Sequence, residues 1–295
     1  MDPIPLNSLT WHDTSPDLDE LLASRTQLYP LAQGREAGLF AAGTPPSLVV
    51  KLWPSGAHVA QPQSRLLRAL APLLPVPAAL GWGVAPDGRD ALAMSYAGRP
   101  LETTGPAQIA HLAALLARIH ATPPPPFLPA DRSHEDILRR LLPPDTDLAA
   151  VARGLLPDLP AFHPTLVHGD FHPGNVMLAG DPAPTPRLTI VDWTDARRSD
   201  WRYDLAWALW LLAVYRAEAQ QTFLNAYLRA AGRASIPSLD LFLALVGLHW
   251  VHLARTAPVP INAEWWERAE RLLLPRLPAP ARSAVLPLRP PHSAR

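Results

Sequence analysis

Three side chains stand at a spacing that suits phosphoryl transfer. Asp170 ends the run Val167-His168-Gly169-Asp170, in a Gly- and Pro-rich loop after the apolar stretch 165–167. Asn175 follows five residues later, and Asp192 closes a second apolar stretch, Leu188-Thr189-Ile190-Val191, 22 residues beyond Asp170. An Asp on such a loop can accept a proton from a hydroxyl. Asn and Asp oxygens are hard donors suited to Mg2+, which keeps several waters and takes one or two protein carboxylates together with substrate phosphates. Phosphoryl transfer needs a metal clamp, a base and a cation on the phosphates. Composition singles out the cation. The chain has 25 arginines and one lysine, Lys51. Arg and Lys exchange freely on a solvated surface but not where a compact point charge is needed, so the one lysine is a candidate functional residue.

Patterning predicts the elements that must position these groups. A short helix is expected over 17–28, two strands over 31–40 and 47–53 with a turn at 43–46, and Lys51 falls on the second strand. Helical periodicity runs over 60–71 and is ended by Pro72, Pro75 and Pro77. Residues 78–84 and 90–96 read as a hairpin around Pro86-Asp87-Gly88. The pattern breaks at Gly98-Arg99-Pro100. An amphipathic helix follows over 106–120, then a polyproline spacer at 123–126 and short helices over 134–142 and 146–155. Strands at 165–167, 176–178 and 188–191 carry the candidate site. Helices are expected over 203–217, 218–231, 238–255 and 263–274.

This order predicts an α+β chain of two lobes. Residues 1–94 form a small β-rich N-terminal lobe, 95–100 a hinge, 101–275 a larger and mainly helical C-terminal lobe, and 276–295 a loosely ordered Pro- and Arg-rich tail. A cleft between two lobes is a favoured place for a small ligand.

Composition narrows the rest. Net charge is zero, with 26 basic and 26 acidic residues, so no strong field points to nucleic acid. There is no cysteine, which excludes disulfides, thiolate catalysis and Cys-ligated metals. The first twenty residues carry Asp2, Asp13, Asp17, Asp19 and Glu20 in place of a basic start and an apolar run. The longest apolar stretches, such as 205–214, fall short of the ~20 residues a membrane span requires. The expectation is a soluble, cytoplasmic chain that acts on a small molecule without nucleic-acid or membrane partners.

The pattern His168-Gly169-Asp170-x-x-x-x-Asn175, then Ile190-Val191-Asp192-Trp193, then Asp204-Leu205-Ala206 resembles the aminoglycoside phosphotransferase family and its choline kinase-like, fructosamine kinase and homoserine kinase-like relatives. The likeness is dense over 165–207. It is looser but in order over 31–120, through Gly34-Arg35-Glu36-Ala37, Val50-Lys51, the segment 94–101 and the helix ending at His120. It implies a two-lobe protein-kinase-like fold and an ATP- and Mg2+-dependent kinase that phosphorylates a small-molecule hydroxyl. By resemblance, Asp170 is the catalytic base, Asn175 and Asp192 hold Mg2+, Lys51 contacts the α- and β-phosphates, and Gly34 belongs to the phosphate-covering loop. His168 and Asp204 brace the catalytic loop. The sequence departs from the family where a helical Glu usually pairs with the lysine. Gln63 stands there, so either Glu36 serves instead or Lys51 is held more loosely.

Two other readings attach to the same residues. A pseudokinase or nucleotide-binding module would lack transfer activity, but such proteins typically lose the base or a metal ligand, and both are present. His168, Asp170 and His172 could be a fragment of a metal-dependent hydrolase, which would need further His or carboxylate ligands. Trp193, Trp201, Trp207 and Trp210 read as core beneath the catalytic segment. Trp265 and Trp266 read as part of an amphipathic surface helix ahead of a cage for a quaternary amine.

Overall fold

The computed structural model describes residues 3–33, 37–101, 105–179, 187–257 and 261–286. In chain order the first elements are β1 (Ile4–Pro5), β2 (Thr10–His12), α1 (Pro16–Ala23), β3 (Gln27–Gln33), β4 (Gly38–Ala42), β5 (Leu48–Ser55), α2 (Ala60–Leu70), β6 (Ala79–Val84), β7 (Arg89–Ser95) and β8 (Arg99–Pro100). Then come α3 (Pro106–Ala121), α4 (His134–Leu141), α5 (Asp147–Leu155), β9 (Pro164–Val167), β10 (Val176–Ala179), β11 (Arg187–Ile190) and β12 (Arg197–Asp200). The chain continues through α6 (Trp201–Tyr215), α7 (Gln220–Ala230), α8 (Leu239–Thr256), α9 (Ala263–Leu273) and α10 (Ala279–Val285). These elements form two units. One comprises Met1–Leu101 with Gly174–Thr194, the other Glu102–Pro173 with Asp195–Arg295.

The first unit is built on a seven-stranded sheet in the order β1-β3-β4-β5-β7-β6-β2, with every pairing antiparallel. Successive strand residues face opposite sides. In β5, Leu48, Val50 and Leu52 are buried in a core with Leu18, Leu28 and Phe40. That alternation puts Lys51 on the other face, beside Trp53, with Nζ 4.9 Å from the indole centroid. Helix α2 packs on β6 and β7. It has no capping side chain of its own. The buried Asp90 of β7 fills that role, accepting from the backbone N–H of Val59 and, at 2.6 Å, of Ala60, which ties the helix start to the sheet.

The same unit holds a three-stranded sheet, β11-β10-β8. Val176 stands opposite Ile190, and the ladder extends one step further, from Val191 N–H to Asn175 O at 2.9 Å. Gly98 enters β8 at φ 103, where an added Cβ would lie 2.0 Å from Leu178 O. Only glycine lets the chain pass β10 that closely.

The second unit is mainly helical. Helix α6 is buried on nearly every side, as expected of a helix at the centre of a bundle. It packs against α7, α8 and α9, while α3 packs on α7 and α5 on α8. Its only sheet is β9 paired antiparallel with β12 among the described residues.

Three features differ from the sequence expectation. Helix α1 stops at Ala23 instead of reaching residue 28, and Gln27 already belongs to β3. Arg25 adopts φ 53, and the N–H groups of Arg25 and Thr26 return to Leu22 O and Leu21 O. That is a Schellman stop, normally signalled by glycine. Strand β12 forms from Arg197-Arg198-Ser199-Asp200, a polar run with no strand pattern, because β9 supplies its ladder. Helix α10 forms in the Pro-rich tail and buries Val285; residues 287–295 lie outside the described residues.

Candidate active site

In the first unit the fold brings Lys51 to Asp192, 141 positions apart in sequence. Lys51 Nζ donates to Asp192 Oδ1 at 2.8 Å, with the lysine side chain 13% and the carboxylate 44% exposed. The Thr194 hydroxyl donates to the same oxygen at 2.9 Å. Asp192 sits at φ 62, a left-handed conformation uncommon outside glycine and one that tends to mark functional turns. The ladder between β10 and β11 explains its nearness to Asn175. Val191 is bonded to Asn175 directly, so Asp192 is the next residue along. Asn175 is buried. The backbone thus places Asn175 and Asp192 at neighbouring positions, and an amide oxygen and a carboxylate are donors of the kind that could hold a Mg2+ ion.

Gln63 takes a place the sequence did not assign. Its Nε2 donates to Trp193 O at 3.0 Å, which fastens α2 to the turn after Asp192. Lys51 Nζ donates to Asp192 Oδ1 and, at 3.5 Å, to the Thr194 hydroxyl, so the lysine meets the Asp192 carboxylate where the family pattern has a helical Glu. Glu36 and Gly34 lie outside the described residues. A hollow with about 270 Å³ of empty volume opens beside Lys51, Asp192, Gln63, Trp53 and Trp193.

In the second unit the loop after β9 carries Asp170, and α6 approaches it. Strand β12 runs antiparallel to β9 and leads straight into α6. Asp204 and Trp207 are three residues apart, so they share one face of α6. Asp204 accepts the backbone N–H groups of His168 and Gly169, each at 2.9 Å. Gly169 has φ 89, and a Cβ there would lie 2.6 Å from Asp195 O. Asp204 also meets His120 Nε2 at 3.1 Å, while His120 Nδ1 lies 2.8 Å from the Tyr227 hydroxyl. A carboxylate offers only acceptors, so Nε2 carries the proton. The Asp204 carboxyl is held below the ordinary carboxylate range. Burial pushes it up, but the bond from His120, the charges of His120 and His168, and the His168 N–H outweigh that.

This depression has a pH consequence. A carboxylate whose folded pKa lies below its unfolded value contributes stability above the unfolded value, and that contribution fades as pH falls through the folded one. The loop brace therefore weakens only below about pH 4. Asp204→Ala is expected to lower stability by about 3–5 kcal/mol, as for breaking a buried charged contact, with Asp204→Asn less damaging. Chemical denaturation at pH 7 checks this. A loss under ~0.5 kcal/mol, typical of neutral surface sites, would mean that the buried network is dispensable.

Asp170 itself is half-buried. Trp207 Nε1–H donates to its Oδ1 at 2.8 Å, and its own backbone N–H donates to His168 Nδ1 at 3.3 Å. His172 Nε2 lies 3.6 Å from Oδ2, close enough for electrostatic attraction but long for a hydrogen bond. Burial raises the Asp170 pKa, but neighbouring His172, the Trp207 donor and His168 outweigh it and bring the pKa down to about 2. His120, Tyr227 and Trp207 went unnoticed as site residues in the sequence. Trp207 looked like core, and His120 had only its position at the end of an amphipathic helix to mark it.

Among the described residues no group of three or more His, Cys, Asp or Glu side chains gathers as a metal cage. A hydrolase built on His168, Asp170 and His172 would need that larger donor set. No helix of the described residues is long and apolar enough to cross a membrane.

A β-sheet lobe carrying a lysine against an aspartate, with a helical lobe carrying a braced Asp loop, defines a protein of protein-kinase-like fold. The chain belongs to the phosphotransferase enzyme family, whose sequence model matches residues 28–242. Among solved structures it is similar to the GDP complex of a point mutant of aminoglycoside 2'-phosphotransferase-IIIa, at 17% identity and TM-score 0.62 over 84% of this chain and 90% of that one. The GDP and kanamycin complex of APH(2'')-IIIa gives 19% identity and TM-score 0.59 over 84% and 92%. Aminoglycoside phosphotransferase APH(3'')-Id from Streptomyces rimosus gives 20% and 0.56 over 76% and 93%. No curated protein matches the chain.

Proposed function

We propose that the chain transfers the γ-phosphoryl group of Mg·ATP to a hydroxyl of a small molecule. The observation that carries this reading is the 2.8 Å contact between the single lysine and Asp192, because a cation and a hard-oxygen ligand at one point are what a Mg2+-bound polyphosphate needs. Asn175 and Asp192 would hold the metal, which supplies charge neutralisation on the phosphates. Lys51 binds the α- and β-phosphates, and Gly34 belongs to the loop over them. Asp170 accepts the hydroxyl proton and orients the nucleophile, and His168 with Asp204 holds its loop in place. The kinase-like neighbours that bind GDP support nucleotide use without deciding between ATP and GTP.

The acceptor is better read as a neutral or singly charged hydroxyl compound than as a polycation, which needs an acidic pocket. Beyond Asp204 the acidic residues are Glu218, Asp240, Glu264, Glu267 and Glu270, against ten arginines. Of these, Glu264 is paired with Arg268 and Asp240 with Arg276. The test is a thermal-shift screen of sugars, amino alcohols, homoserine and kanamycin, each with Mg2+ and a non-hydrolysable ATP analogue, followed by turnover with ATP. Nucleotide binding with no turnover on any acceptor would favour a nucleotide-binding module. Strong kanamycin turnover would overturn the acceptor reading.

Gln63 yields a further expectation. If its task is to hold the Asp192–Trp193 turn, Gln63→Glu replaces an N–H donor by a carboxylate facing a buried carbonyl oxygen. Losing a buried hydrogen bond costs ~1–3 kcal/mol, so Mg·nucleotide affinity should fall about tenfold or more. If the position serves to pair with Lys51, as the family pattern has it, affinity should rise. Calorimetric titration of the two proteins separates these outcomes.

A further inference from the structure

We propose that Trp207 is a positioning residue for the base: its indole N–H fixes the rotation of the Asp170 carboxylate and so decides where the acceptor hydroxyl is received. The inference rests on the reading of Asp170 as the base. The indole has one donor, in the ring plane, and it meets Oδ1 at 2.8 Å. A hydrogen bond to an ionised acceptor is stronger and more directional than a neutral one. The ring is itself held. It is nearly buried on α6, and it lies against the His249 ring of α8 with centroids 5.1 Å apart at 34°.

Packing alone does not account for this arrangement. Trp210 lies three residues further along α6, is more fully buried than Trp207, and its Nε1 has no hydrogen-bond partner. The helix therefore accommodates a tryptophan as plain core at one position and aims one at the catalytic loop at the next turn. The bond also goes to the Asp170 side chain, not to the loop backbone, which Asp204 already holds at His168 and Gly169. The two residues divide the work: Asp204 places the loop, and Trp207 orients the carboxylate on it.

The comparison of Trp207→Phe with Trp210→Phe tests this, because both remove an indole from α6 and only one touches the base. The first readout is the proton–nitrogen correlation spectrum of the full chain labelled with ¹⁵N at the indole nitrogens. The peak that vanishes in Trp207→Phe should be displaced downfield, and it should move upfield in Asp170→Asn. The second is the slow hydrolysis of Mg·ATP to water, which needs no identified acceptor. Trp207→Phe should lower kcat by up to about 10²-fold, as expected of a displaced catalytic group, with KM for ATP unchanged. Trp210→Phe should keep kcat. The proposal falls if the Trp207 peak ignores Asp170→Asn, or if Trp207→Phe keeps kcat. If Asp170→Asn shifts the peak yet retains turnover, the hydrogen bond stands but Asp170 is not the base, and the proposal falls with that reading. If Asp170→Asn stops turnover and leaves the peak in place, the base reading survives and the role of Trp207 does not.

Discussion

Asp170→Asn is expected to lower phosphoryl transfer by about 10²–10⁴-fold, the usual effect of losing a general base, with Mg·nucleotide affinity nearly unchanged. The amide has the shape of the carboxylate and keeps an oxygen to accept the Trp207 N–H, so the packing should hold. It cannot take the hydroxyl proton, and it carries no charge to orient the nucleophile. The depressed pKa of Asp170, about 2, says more about the mechanism. So weak a base draws little proton density from a ground-state hydroxyl. On the reading of Asp170 as the base, its main service would be to orient the oxygen and to receive the proton late, which suits a loose transition state that asks mostly for positioning. The carboxylate is ionised throughout the working pH range, so kcat/KM should show no acid limb from Asp170 above about pH 4. The rival base is His172, 3.6 Å away. An active Asp170→Asn beside a dead His172→Ala, with an acid limb near the usual His range of ~6.5, would transfer the role to His172.

The candidate residues were more legible in the sequence than the contacts that support them. Lys51 and Asp192 stand out in the sequence by residue type and position, and the structure joins them at 2.8 Å; Asp170 and Asn175 stand out by their five-residue spacing in the segment after β9. Strand β5 and helices α2 and α3 are legible because their apolar residues repeat with the right period over enough length, and α6 because its apolar run is too long for a strand. The supporting contacts are not, since they join residues far apart in sequence. Gln63 reaches Trp193 across 130 positions, and His120 reaches Asp204 across 84. Trp207 resembled its neighbours Trp201 and Trp210, and nothing in an apolar helix shows which indole has a carboxylate in front of it. The same holds for local structure. Strand β12 exists through its partner β9, and α1 ends on an arginine in a conformation that composition assigns to glycine. What is read from one residue and its near neighbours is visible in the sequence; what depends on a distant partner is not.

Asp192→Ala should abolish Mg2+-dependent nucleotide binding and turnover together. Replacing even an outer-shell partner of a metal ligand typically costs ~10–100-fold in affinity or activity, and a direct ligand should cost at least the upper figure. Two further consequences follow from the local structure. Asp192 holds φ 62, a conformation that Asn and Asp tolerate better than Ala, so the alanine variant also strains the turn that Gln63 fastens. Asp192→Asn keeps that turn and one hard oxygen, and should fall between wild type and alanine. Lys51 Nζ occupies Asp192 Oδ1 in this structure, so an incoming cation competes with the lysine for the same oxygen. Mg2+ alone should therefore bind weakly, and Mg·nucleotide much more strongly, because the phosphates give Lys51 another anion to meet. Calorimetric titrations of the ATP analogue with Mg2+ and with EDTA, on all three proteins, measure each of these. If Asp192→Ala binds and turns over nucleotide as the wild type does, or if EDTA leaves turnover intact, then Asp192 is no metal ligand. The contact with Lys51 is in that case only a surface ion pair.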